Sequence, residues 1–159
     1  MTIELLCVGK IKEKYLQSAI DEYVKRLSKF INVKVREISE ARVDKHEREA
    51  DILVALQKEA DQILAKLPQA YVIALAIEGE TLTSERFSEK LDEIFRFHPG
   101  NRMVFVIGSS YGLADAVKQR ADYTMSFSQL TFPHQLMRVI ALEQLYRAMK
   151  IMHNEPYHK

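Results

Sequence analysis

Two stretches decide the fold: Tyr71-Val72-Ile73-Ala74-Leu75-Ala76-Ile77 and Met103-Val104-Phe105-Val106-Ile107. Neither alternates polar with apolar residues. A strand wetted on one face alternates; a strand covered on both faces, as in a parallel sheet between helices, does not. The run from Ala70 to Ile77 is the longest apolar stretch of the chain. It has the length of a strand and falls far short of the roughly 18 residues a membrane span needs.

Outward from these strands, the pattern switches between two periods. Ile3-Glu4-Leu5-Leu6-Cys7-Val8 reads as another buried strand, closed by Gly9. Leu16, Ala19, Ile20, Tyr23, Val24 and Leu27 recur at helical spacing within 13–27. Asn32 to Ile38 alternates, which predicts a half-exposed strand near an edge. A long helical stripe runs from Asp44 to Leu67 and stops at Pro68. Glu78-Gly79-Glu80 reads as a turn, and Thr83 or Ser84 as the cap of a helix reaching Phe97. His98-Pro99-Gly100-Asn101 reads as a further turn. A short helix over 113–120, a strand over 123–127 and a last helix over 134–152 complete the chain. Strands alternating with helices predict one α/β domain over 1–159, with a mainly parallel sheet of about five strands and helices on both faces.

Composition narrows the function. The chain has 159 residues and a single cysteine, Cys7, which excludes a disulfide framework and a multi-cysteine metal site. His46, His98 and His153 lack metal-ligand spacing, so no metal is expected. Neither a membrane segment nor a signal peptide is expected, and the expected location is the cytoplasm. The net charge of +1 is too small for a generic polyanion binder. Charge is unevenly spread, however: Lys10 to Lys29 holds six Lys/Arg against three acids, and Glu78 to Glu93 holds six acids against two bases.

Ligands of parallel sheets bind beyond the carboxyl ends of the strands. Three loops qualify: Glu78-Gly79-Glu80, Gly108-Ser109-Ser110-Tyr111-Gly112, and the segment from Ser128 to His134. Glycines after a buried strand let a ligand approach the backbone, though the full phosphate-binding and dinucleotide fingerprints are absent. The last helix is apolar on more than one face, which suggests a subunit partner. Glu143 and Arg147 are spaced for a helix-surface ion pair. The tail ends in Tyr157, His158 and Lys159. Termini commonly fray, and composition alone predicts a disordered tail. An aromatic ring beside an imidazole and a cation has the groups to stack on a base and move a proton.

Taken together, several motifs resemble one family. They are Val8-Gly9, Leu75-Ala76-Ile77-Glu78-Gly79, Ile107-Gly108 with Gly112, Leu130-Thr131-Phe132-Pro133-His134, Arg138-Val139, Glu143 through Tyr146-Arg147-Ala148, and Asn154 with Pro156-Tyr157-His158. The family is the large-subunit ribosomal RNA pseudouridine N3-methyltransferases of the SPOUT, or α/β-knot, class. The resemblance spans essentially the whole chain.

That resemblance implies a SPOUT-type trefoil-knotted α/β domain and a homodimer with the last helix at its interface. It implies S-adenosyl-L-methionine as cofactor, with contacts falling on Leu75, Ala76, Gly108, Phe127, Ser128, Gln129, Leu130, Thr131 and Phe132. The implied reaction is methylation of N3 of a pseudouridine in 23S ribosomal RNA, on the assembled ribosome. His134, Arg138, Glu143, Tyr157 and His158 are then the residues expected to recognise the base or handle its proton, within a functional tail over 154–159. Two features depart from the family pattern. The loop is Gly108-Ser109-Ser110-Tyr111-Gly112 where relatives often have Gly-Gly-Pro-Glu-Gly, and the chain ends in Lys159 where they often end in Arg. The rival readings are a non-catalytic ribosome-associated binding protein and a SPOUT enzyme acting on tRNA.

Overall fold

The computed structural model describes residues 1–43, 48–98 and 100–158. His46, Pro99 and Lys159 lie outside the described residues. The elements, in chain order, are β1 (Thr2–Val8), α1 (Lys14–Leu27), β2 (Asn32–Ile38), α2 (Glu49–Lys66), β3 (Tyr71–Thr81), α3 (Ser84–Phe97), β4 (Arg102–Ile107), α4 (Asp115–Arg120), β5 (Tyr123–Ser126) and α5 (His134–Met152). The five strands form one sheet in the order β2-β1-β4-β3-β5. Every pairing is parallel.

Strand burial follows sequence pattern. In β1, Ile3, Leu5 and Cys7 face a core built with α1, α3 and α5, while Leu6 and Val8 face a second core built with α2 and α4. The two apolar strands β3 and β4 are interior, and alternating β2 is an edge. Glu4 breaks the apolar face of β1, and Arg36 and Arg102 reach its buried carboxylate at 3.2 and 3.1 Å to compensate its charge. Thr83 caps α3, its hydroxyl accepting the Arg86 N–H at 3.3 Å.

Two expectations need correction. Glu78-Gly79-Glu80 is not a turn: β3 runs on to Thr81 and shifts register against β5 between Leu75 and Glu80. Gly79 permits this because a Cβ there would lie 2.5 Å from the Met125 backbone. The long helix begins at Glu49 rather than Asp44, with Arg48 in extended conformation before it. Positions 44–47 are outside the described residues.

The connection from β5 to α5 sets the site. β5 is an edge strand beside β3, yet α5 opens beside β1, where Arg138 donates to the Val8 and Gly9 carbonyls. The intervening residues therefore cross the carboxyl ends of β3 and β4. Crossing there places main chain directly over the strand ends where a ligand would sit.

Candidate active site

A cleft of about 370 Å³ opens at the carboxyl ends of β3, β4 and β5. That size falls within the range for small-ligand sites. Leu75, Ala76, Gly108, Phe127, Ser128, Leu130, Thr131 and Phe132 line it, as does His134; Gln129 does not. The cleft also takes in Glu78 and Ser109, from two of the three nominated stretches, and Lys118 and Met137, which the motifs did not mark. Nothing local marked the last two: Lys118 lies within α4 and Met137 in the first turn of α5. Lys118 is held by Glu78 at 2.6 Å and by Asp115 at 2.8 Å. Those bonds favour its charged form and lower the Glu78 carboxyl below the usual range.

Two loops shape the cleft walls. Gly108 has no room for a Cβ, which would stand 2.1 Å from the Gly112 carbonyl oxygen. Gly112 has φ +87° and donates its N–H to the Ser109 carbonyl at 2.9 Å, closing the loop. Opposite, the Ser126 hydroxyl donates to the Ser128 carbonyl at 2.7 Å, and Ser128 Oγ accepts the Leu130 N–H at 3.0 Å. Such serine turns hold an extended segment rigid without helix or sheet. Leu130 itself is 72% exposed at the rim.

The tail forms a second cluster. Tyr157 Oη donates to Glu143 Oε1 at 3.1 Å, and Arg147 Nη2 donates to the same oxygen at 2.6 Å. The Arg147 guanidinium lies 4.8 Å from the Tyr157 ring centre, and Tyr146 packs edge-on to that ring at 4.9 Å. His158 Nε2 lies 2.6 Å from Glu85 Oε1, and its Nδ1 lies 3.4 Å from Arg147 Nη1. The tail is thus pinned to α5 and α3, against the disorder that composition alone predicts. Burial, aided by Tyr23 and the Glu143 charge, pushes the Tyr157 hydroxyl up to about 12. It therefore donates hydrogen bonds across the physiological range rather than accepting protons.

The five expected base-handling residues do not converge within one chain. His134 lines the cleft, whereas Glu143 lies nine residues farther along α5, about 13 Å at 1.5 Å per residue. Arg138 belongs to neither place. Its side chain is fully buried: Nη1 donates to Glu37 at 2.6 Å, and Nη2 to the Val8 and Gly9 carbonyls at 3.0 and 2.9 Å. Those bonds clamp α5 to the end of β1 and leave the guanidinium no face for a base or phosphate.

The family described as "Predicted SPOUT methyltransferase" matches residues 1–158. The chain belongs to the SPOUT methyltransferase family. This SPOUT chain is 51% identical to "Ribosomal RNA large subunit methyltransferase H" of Exiguobacterium sp. over 160 aligned residues, covering 100% of both chains. Proteins of the same name from Bacillus pumilus and Bifidobacterium animalis are 46% and 49% identical, again over 100% of each chain. Among solved structures, the tRNA (m1G37) methyltransferase of Aquifex aeolicus matches with a TM-score of 0.57 at 15% identity, over 100% of this chain and 75% of that one. At that identity the likeness speaks for the fold alone. The expected SPOUT fold of the α/β-knot class is the one observed, and the return of the chain from β5 to β1 across the strand ends is its local expression.

Proposed function

We propose that this SPOUT enzyme transfers a methyl group from S-adenosyl-L-methionine to N3 of a pseudouridine in 23S ribosomal RNA, on the assembled ribosome. The observation that carries the reading is the match over the full length of both chains to relatives named for methylation of large-subunit ribosomal RNA. The cleft fits the cofactor. Its size suits a nucleoside-sized ligand, and the segments at Leu75–Ala76, Gly108, Phe127–Ser128 and Leu130–Phe132 that line it suit a base and ribose. When bound, S-adenosyl-L-methionine supplies a methyl group on a positively charged sulfonium.

The residues of the chain then have limited work. N3 of pseudouridine is a weakly acidic imide flanked by two carbonyls, so removing its proton makes the nitrogen nucleophilic. Catalysis consists of alignment and of favouring the anion. His158 is the proton acceptor in this reading, and the Tyr157 ring stacks on the target base, with Glu143 and Arg147 holding both in place. His134 lies on the cofactor side. Arg138 sets the angle of α5 against the sheet.

Because cleft and tail lie apart within one chain, the site is completed by a second copy in a homodimer. The outward stripe of α5 supports this. Leu136, Ile140 and Ile151 belong to neither core, are only partly buried and lie along the same face as Glu143 and Arg147. A partner covering that stripe meets the tail directly. No helix among the described residues is long and apolar enough to cross a membrane, and a ribosomal substrate places the enzyme in the cytoplasm.

The test uses ribosomes from a strain lacking this protein, labelled S-adenosyl-L-methionine and nucleoside mass spectrometry. Label in N3-methylpseudouridine of large-subunit RNA is the expected result, with little label on an isolated hairpin. Label in the tRNA fraction would redirect the substrate. Absence of both label and cofactor binding would leave a non-catalytic ribosome-binding protein. Sedimentation of the purified protein is expected to give the mass of two chains.

A further inference from the structure

Glu59 is a buried carboxylate that no step above uses. It lies on α2, behind the cleft wall, and is 3% exposed. Its Oε1 accepts the Ala41 N–H at 3.0 Å, and its Oε2 accepts the Ser109 hydroxyl at 2.9 Å. No cation pairs with it among the described residues. Burial raises its carboxyl above the ordinary range, and the charge of Glu40 adds to the shift. A charge held by two neutral donors costs stability relative to an apolar side chain of the same volume. Packing gives no reason for a carboxylate here; what it grips does.

Ser109 is buried in the cleft loop, directly after Gly108. Gly108 has no side chain to anchor the loop, and Gly112 closes it only from within. The Ser109 hydroxyl on Glu59 is a side-chain tie from the loop to the helix layer. The same carboxylate holds Ala41. The neighbouring Glu40 places Oε2 3.4 Å from where a Cβ of Gly9 would stand, and His134 Nε2 stands 3.4 Å from the same point. One carboxylate therefore holds both the cofactor loop and the backbone at Ala41, next to the Glu40 side chain that reaches towards Gly9.

We infer that Glu59 is a positioning residue of the cofactor cleft, holding the Gly108–Gly112 loop in its binding shape through Ser109 Oγ. The inference rests on the cofactor reading proposed above. A glutamine at this position can keep both contacts, because its amide oxygen accepts from Ala41 and its amide nitrogen donates to the Ser109 oxygen. A leucine keeps neither.

The experiment measures S-adenosyl-L-methionine dissociation constants by calorimetry, with melting temperatures of the cofactor-free proteins beside them. Glu59→Gln is expected to bind within about twofold of the parent, and Ser109→Ala and Glu59→Leu on the order of tenfold more weakly. The Ser109→Ala/Glu59→Leu double variant is expected to bind no more weakly than Glu59→Leu alone, since both changes break one contact. Parent-like affinity in Ser109→Ala, or losses that add in the double variant, would overturn the inference while leaving the cleft reading intact. If Glu59→Leu fails to fold, the comparison of Ser109→Ala with Glu59→Gln still decides. A parent protein that does not bind the cofactor would overturn the cleft reading itself, and the inference with it.

Discussion

Tyr157 and Glu143, fourteen residues apart, meet at 3.1 Å, and this bond turns the end of the chain into part of the α5 surface. Glu143 Oε1 also takes Arg147, whose guanidinium covers the Tyr157 ring, so hydroxyl and ring are held by the same pair. Tyr157→Phe keeps the ring contacts and loses one hydrogen bond. Methyl transfer is expected to fall about fivefold, matching roughly 1 kcal/mol. Tyr157→Ala loses both and is expected to fall by a further order of magnitude or more. Steady-state rates on ribosomes check this; equal rates for the two variants would remove the ring from the argument.

The Tyr157 hydroxyl also makes a pH prediction. Its folded pKa, about 12, lies above its ordinary value of 10.0. The neutral form is favoured by folding, so this contribution to stability is whole below about 10 and is lost as pH rises towards 12. Absorbance titration is expected to show one late-ionising tyrosine fewer in Tyr157→Phe.

Arg138 is expected to govern stability rather than turnover alone. A lysine cannot reproduce two bonds to the Val8 and Gly9 carbonyls together with one to Glu37. Arg138→Lys is expected to cost about 2–4 kcal/mol in denaturant unfolding. A variant as stable as the parent but inactive would return Arg138 to the substrate.

Gly108→Ala forces a Cβ into the Gly112 carbonyl oxygen. Backbone cannot swing away as a flexible side chain can, so the loop must open. Cofactor binding by calorimetry is expected to drop at least a hundredfold, or about 3 kcal/mol, while far-UV circular dichroism stays unchanged. Gly100→Ala meets no atoms and serves as the contrast, its cost confined to the backbone strain at φ +108°.

Glu59 has a folded pKa raised above 4.5. Its contribution to stability is therefore full below that value and is lost as pH rises through the higher folded one. Glu59→Gln removes the titration. Its melting temperature relative to the parent is expected to rise between about pH 4 and about pH 7. A constant difference across that range would contradict a buried, ionised Glu59.

The pattern of residues by itself determined the element types, the interior places of β3 and β4, the edge place of β2 and the three stretches that border the cleft, two of them as loops. These follow from burial and period, which each strand and helix carries within its own few residues. Helix α5, expected over about 134–152, runs from His134 to Met152 because Pro133 marks its start and apolar residues recur along it, interrupted by Arg138, Glu143 and Arg147. The Glu78–Glu80 stretch was misread because a glycine between two acids resembles a turn, and only the approach of Met125 makes it a strand. Arg138 was misplaced for the same kind of reason: nothing local shows that its partners are Val8 and Gly9, 130 and 129 residues away. The tail clamp, the burial of Arg138 and the Glu59–Ser109 tie all join groups distant in sequence. Such contacts exist only once the chain has returned from β5 across the strand ends to β1, and that path was decided by tertiary packing.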